Sequence, residues 1–348
     1  MLRFNNDYSE GAFPEIIEAL GKTNLEQTAG YGEDEYCEKA REYIKAACSA
    51  PDTDVHFLVG GTQTNLVVIS VALRSHQAAL AVQSGHINTH ETGAIESCGH
   101  KVVTVPGKNG KISAEDIMSV HDAHFADSAH EHIAQPKLVY ISNPTEWGTL
   151  YSKSELCEIS EACKKCGYYL FLDGARLGYA LTSPANDLEL SDIAKYCDVF
   201  YIGGTKCGAL FGEAVVITND ALKEDFRYIM KQKGAMLAKG RLLGVQFCEL
   251  FRDGLYIRGC QKANDLAMKI RDAFRERGFE FYLESPTNQQ FPIMSPEQIA
   301  QFSEKYVFSD DIMVIDKEHI ATRFCTSWAT SEEAVDRLVE DILKVKSE

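Results

Sequence analysis

Three short stretches of the chain carry side chains that packing alone explains poorly. In GGTKCGALFGEAVV, Lys206 is the one charged side chain between Val199 and Glu213. Lysine is rarely buried without a partner or a task. Taking it out of water lowers its pKa and frees the amine as a nucleophile, which is how carbonyl-condensing lysines are made. A surface lysine on a hairpin tip would suit the glycines at 203, 204 and 208 equally well. Asp173 closes the apolar run YYLFLDG. A carboxylate there is costly to bury unless a cation or proton donor meets it. Arg176, three residues on, could be a purely structural partner. Gly60-Gly61-Thr62 follows the apolar VHFLV and precedes a helical pattern. Glycines let backbone N–H groups approach an anion, and a helix N-terminus adds partial positive charge. An ordinary turn with Thr62 as N-cap fits the same residues. The spacing matches neither the dinucleotide fingerprint nor the P-loop.

These residues need a scaffold, and the pattern of runs supplies one. Helical periods and short apolar runs alternate. Helices are expected at 12–27, 33–49, 62–73, 87–99, 113–123 and 152–166, and strands at 55–61, 78–82, 101–106, 137–143 and 168–174. DVFYIGG and EAVVITN read as two further strands, the second returning along the first. Residues 219–275 are helical. The tail mixes short strands (FEFYL, IMVI, IATRFCTS) with helices and ends in SEEAVDRLVEDILKVKS at 331–347. This predicts an α/β fold with a mostly parallel sheet covered on both faces. Residues 1–245 are expected to form an arm and a large α/β domain, and 246–348 a smaller α+β domain.

The 348 residues are 45% hydrophobic, enough for both. A net charge of −16 turns the protein away from nucleic acid and anionic membranes. No apolar run reaches the roughly 18 residues that span a bilayer. The start of the chain lacks the apolar segment of a signal peptide. Eleven irregularly spaced cysteines then read as reduced thiols in the cytoplasm. Cys163 and Cys166 read as two thiols one helical turn apart. HDAHFADSAHEH (121–132) has spacings that could hold a metal, but a solvated loop suits His121, His124 and His130 better, and no metal is expected.

An anion cradle, a carboxylate and an amine, each at a strand end, match the needs of pyridoxal 5′-phosphate (PLP). They would hold the phosphate, keep the ring nitrogen protonated and bind the aldehyde carbon as an imine. On GGTQTN, SGHINTHETGA, LDGARL, GGTKCGALFGEAVV and TRFCTSWAT, with looser likeness in NNDYSEGAF and AGYGEDE, the chain resembles the threonine aldolase / β-eliminating lyase family of fold-type-I PLP enzymes. NPTEWGTLY departs from the loop many members carry there. The resemblance implies that Lys206 forms the imine, Asp173 meets the ring nitrogen, Gly61 and Thr62 hold the phosphate, and His86 stacks on the ring. It implies that Arg176 contacts cofactor and substrate carboxylate, with Arg323 and Asn6 also on that carboxylate. Lys239 would reach a neighbouring subunit's phosphate, in a homodimer or homotetramer with shared sites. His132 is expected as a base or water-positioning group. The implied reaction is cleavage of a β-hydroxy-α-amino acid to glycine and an aldehyde. β-Elimination, racemisation or transamination of a small amino acid, or a non-catalytic α/β binding protein, are the alternatives.

Overall fold

The computed structural model describes residues 1–345. After a two-residue strand β1 (Leu2–Arg3), seven strands build the central sheet: β2 (Asp54–Leu58), β3 (Gln77–Val82), β4 (Lys101–Val105), β5 (Gln135–Ser142), β6 (Tyr169–Asp173), β7 (Val199–Gly203) and β8 (Glu213–Ile217). Their order is β2-β8-β7-β6-β5-β3-β4. All neighbours from β4 across to β7 are parallel, whereas β8 runs antiparallel to both β7 and β2. The expected mostly parallel sheet is present. Its reversed strand has a consequence for the site. Glu213 pairs with Leu58 and with Gly203, so β8 begins at the edge where its neighbours end.

Every residue of β3, β7 and β8 is buried, as strands covered on both faces require. Successive side chains enter opposite cores. Leu170, Leu172, Phe200 and Ile202 join one, while Tyr140, Phe171, Val199 and Tyr201 join the other. The second core is closed by the helix Gly61–Ala72 through Val67, Val68 and Ile69. The first is closed by the helices Glu35–Ala47, Lys153–Cys166 and Arg241–Arg252. This alternation aims Asp173. Two residues after Phe171, it shares a face with Tyr140 and Tyr201.

The long helix Leu255–Glu276 gives Tyr256 and Cys260 to the first core and Leu266, Ile270 and Phe274 to a third. That third core also holds Phe4, Phe308, Phe324 and Leu338. Around it lie β9 (Gln289–Gln290), β10 (Ile293–Met294), β11 (Tyr306–Val307), β12 (Ser309–Val314) and β13 (Ile320–Cys325). β9, β10 and β12 all pair antiparallel with β13, and β1 pairs parallel with β11. The first residues of the chain therefore join its last quarter.

Some elements differ from expectation. Residues 87–99 are not one helix but lie in two single turns, His86–Thr89 and Ala94–Ser97. Thr92 and Gly93 between them have φ of 52° and 71°, which no right-handed helix accommodates. FEFYL makes only an isolated bridge, Phe281 to Pro292. His121 and His124 belong to the helix Ala114–Ala126, held by a Ser113–Asp116 capping box, and His124 is buried rather than in a solvated loop. All eleven cysteines are free, Cys163 and Cys166 on one helix among them. The last helix is Glu332–Lys344, and the end of the 331–347 pattern lies outside the described residues.

Candidate active site

A cavity of about 320 Å³ opens at the carboxyl edge of the central sheet. Ligands of open α/β sheets bind at this edge. β5 supplies Ser142 and β6 supplies Asp173. Gly60–Thr62 come from the turn after β2, and Thr205 and Lys206 from the β7–β8 connection. Arg176, His86, Glu146 and Glu213 also line it.

Asp173 is buried and surrounded by donors. The hydroxyls of Tyr140 and Tyr201 each donate at 2.5 Å, the Ala175 N–H at 2.9 Å, and Asn65 Nδ2 more weakly at 3.4 Å. Burial, and then the Asp173 charge, push both phenols well above their ordinary pKa, so they remain donors. Both tyrosines come from strands adjacent to β6, and the period-two alternation puts them there. Gly174 follows because nothing larger fits: a Cβ would lie 1.9 Å from the Tyr201 carbonyl oxygen. The Asp–Arg pairing suggested by LDGAR does not form. Arg176 reaches instead to buried Asp7 in the N-terminal arm, donating from Nε at 2.7 Å and Nη2 at 2.9 Å. Asn288 donates to the same carboxylate at 3.0 Å.

Lys206 sits in the connection between two antiparallel strands, as a hairpin lysine would, but its side chain lines the cavity. Burial, reinforced by the Arg176 charge, lowers its pKa. No carboxylate lies within ion-pair distance of its amine among the described residues. The connection is pinned from below by Glu213. Its two oxygens accept from the Thr205 hydroxyl at 3.0 Å and the Gly204 N–H at 3.1 Å. The Tyr179 hydroxyl donates to the Lys206 carbonyl at 2.6 Å.

The helix after β2 starts at Gly61 with Gly60 as its N-cap, so Thr62 stands in the first turn and is not the cap. The first intrahelical bond is Thr64 N–H to the Gly60 carbonyl. That leaves the N–H groups of 61–63 without helical acceptors. A Cβ on Gly61 would come within 3.0 Å of the Tyr201 hydroxyl that serves Asp173. His86 is held by Glu91, whose Oε1 contacts Nδ1 at 2.8 Å and also accepts from Asn65 at 2.6 Å. Burial alone would lower the imidazole pKa. The Glu91 bond and the nearby Asp173 charge outweigh it and hold the ring above its ordinary value.

Four expected site residues do not line the cavity. His132 is exposed in the single turn His130–His132 before β5, while the cavity lies beyond Ser142 at the other end. Eight strand residues put more than about 20 Å between them, so His132 cannot serve as the base within its own chain. Asn6 spends its Oδ1 on the Tyr8 N–H and the Ser9 hydroxyl, and Tyr8 stands at the cavity in its place. Arg323 donates to the Asn5 carbonyl at 2.9 Å and to Ser309 at 3.2 Å. Lys239 is exposed beside the helix Arg241–Arg252. Conversely, Glu91, Asn65, Tyr140, Tyr201, Glu146, Glu213 and Asp7 were not singled out from the sequence. Period-two alternation was the signal that could have found the tyrosines, and the acid opening the apolar run EAVVI the one that could have found Glu213.

The residues present fit PLP. Free N–H groups at a glycine turn suit its phosphate, and a donor-held carboxylate suits its ring nitrogen. An unpaired amine of lowered pKa suits its aldehyde carbon, and one cavity touches all three.

Comparison with known proteins agrees over the length of the chain. A family model described as β-eliminating lyase matches residues 6–295. A low specificity L-threonine aldolase of Pseudomonas sp. (strain NCIMB 10558) is 30% identical over 360 aligned positions, covering 99% of this chain and 98% of that protein. A solved threonine aldolase from Leishmania major is 48% identical, with a TM-score of 0.95 and 98% of each chain covered. An aspartate aminotransferase from Thermus thermophilus, at 13% identity and TM-score 0.70 over 99% of this chain and 91% of that one, shares the fold. With amine, carboxylate and glycine turn meeting at the sheet edge of a fold-type-I architecture, the chain belongs to the β-eliminating lyase family.

Proposed function

We propose that this protein is a PLP-dependent aldolase that cleaves a β-hydroxy-α-amino acid of the threonine type to glycine and an aldehyde. The observation that carries the reading is the unpaired Lys206 amine, lowered in pKa by burial, in one cavity with donor-held Asp173. Likeness to threonine aldolases along the whole chain selects the reaction. When bound, PLP withdraws electrons from the bond broken at Cα.

The chain's own groups do the rest. Lys206 would hold the aldehyde carbon until the substrate amine replaces it. Asp173, fixed by Tyr140 and Tyr201, would keep a proton on the ring nitrogen. Gly61 and Thr62 would hold the phosphate, and His86, steadied by Glu91, would bear on the ring. Arg176 has Nη1 free of intrachain partners among the described residues, because Asp7 takes its other two nitrogens. It would clamp the substrate carboxylate from the cavity wall. That clamp fixes which Cα bond is aligned for cleavage, an orientation effect of several kcal/mol. We place Lys239 at a subunit contact in a homo-oligomer, and the protein in the cytoplasm. No helix among the described residues is long and apolar enough to cross a membrane.

A product assay tests the reading. Glycine and acetaldehyde are expected from threonine. Pyruvate and ammonia from serine, with no glycine from any β-hydroxy amino acid, would overturn it in favour of β-elimination.

A further inference from the structure

Within its own chain His132 stands at the far end of β5, so a base drawn from this chain's cavity is a different group. Most of its ionisable side chains are already committed. Asp173 is filled by donors, both oxygens of Glu213 are taken, Arg176 is paired with Asp7, and Tyr201 donates to Asp173. Lys206 is reserved for the cofactor.

Glu146 stands apart from these. It lies in NPTEWGTLY, the loop that departs from the family pattern, just beyond the end of β5. It lines the cavity and is only partly exposed. Its Oε1 accepts from the Ser142 hydroxyl at 2.7 Å and from the His86 backbone N–H at 3.0 Å. Both donors grip the same oxygen, and Oε2 accepts no hydrogen bond from another described residue. A carboxylate held rigidly by one oxygen presents the other in a fixed direction. It hangs from the residue whose ring is expected over the cofactor.

We propose that Glu146, through Oε2, is the base that takes the β-hydroxyl proton of the substrate; this rests on the aldolase reading above. The balance closes within the reaction. The O–H bond breaks and its proton passes to Oε2. The O–H electron pair becomes the second C–O bond of the aldehyde. The Cα–Cβ pair stays with the amino-acid half, and a proton delivered to Cα completes glycine. Burial raises the carboxyl pKa above its ordinary value; the Ser142 bond, Glu146's own backbone N–H and His86 oppose this, and the Asp173 charge adds to it. A base so placed titrates nearer neutral pH, where it works best. The groups facing it are His86 from the short helix, Tyr140 and Ser142 from β5, Tyr151 beyond its own loop and Asp173 from β6.

The test compares wild type, Glu146→Gln, Glu146→Asp and His86→Gln, all loaded with PLP. Glu146→Gln is expected to lose about 10²–10⁴ in kcat for threonine cleavage, the usual worth of a general base. Glu146→Asp should regain part of that loss. The acid limb of the kcat/KM profile should vanish in Glu146→Gln and shift in Glu146→Asp. Cofactor content by absorbance and glycine affinity by calorimetry should match wild type in Glu146→Gln, which a collapsed site would not allow. Cleavage by Glu146→Gln within about threefold of wild type, or an acid limb that survives there and disappears in His86→Gln, would overturn the proposal. Wild-type protein that cleaves no β-hydroxy amino acid would overturn the aldolase reading and this assignment together.

Discussion

Asp173 and Glu213 are carboxyls in one cavity, and their surroundings treat them differently. Asp173 meets donors from two flanking strands and a backbone N–H. Glu213 has one hydroxyl and one N–H and is otherwise desolvated. Burial raises its pKa to about 8, against the pull of the Thr205 bond and the Lys206 charge. A neutral Glu213 leaves the nearby glycine turn free to hold an anion. The sign for stability follows. Between about 4.5 and about 8 the unfolded chain releases a proton that the native state retains, so Glu213 costs stability as pH rises through that window. Cofactor-free wild type should therefore lose ground to Glu213→Gln across the window, by up to a few kcal/mol. Urea unfolding of both proteins at the two ends of the window measures this. A difference independent of pH would refute the assignment.

At the scale of elements, the N-terminal arm acts as a clasp. β1 pairs with β11, Phe4 enters the third core, and Asp7 grips Arg176 just after β6 while accepting from Asn288 next to β9. One buried carboxylate thus ties arm, central sheet edge and C-terminal segment together. Removing one partner of a buried pair strands the other charge. Asp7→Ala is expected to cost about 3–5 kcal/mol, read from the denaturant midpoint. A loss below about 1 kcal/mol, the scale of a surface pair, would show that the clasp carries little.

The elements also mark what the sequence could and could not show. Lys206, Asp173, Arg176 and Gly61–Thr62 were legible because each stands where an apolar run stops at glycine, and a parallel sheet gathers such stops on one edge. His86 was legible through its segment, but Glu91 was not. It reaches back to His86 because the helix stops at Thr89 after a single turn, where the sequence pattern runs on. The Asp7–Arg176 pair spans 169 residues, and no local pattern announces such a contact. His132 was expected from the family resemblance just before β5, and within its own chain it stands at the opposite end of that strand from the cavity.

At the scale of the whole molecule, a shared architecture is separable from a specific reaction. The aminotransferase of Thermus thermophilus retains the fold at 13% identity, so the sheet and its edge do not by themselves choose a reaction. Loops at the carboxyl edge do that, which is why Glu146 and its loop matter more here than the strands beneath them. The proposed reaction requires one covalent attachment. The direct measurement is borohydride reduction of the PLP-loaded protein, followed by peptide mass analysis. The cofactor's mass should be fixed to the peptide containing Lys206, and Lys206→Ala should fold yet carry no label. Label at a different lysine, or a reduced wild type bearing none, would contradict the account at its root.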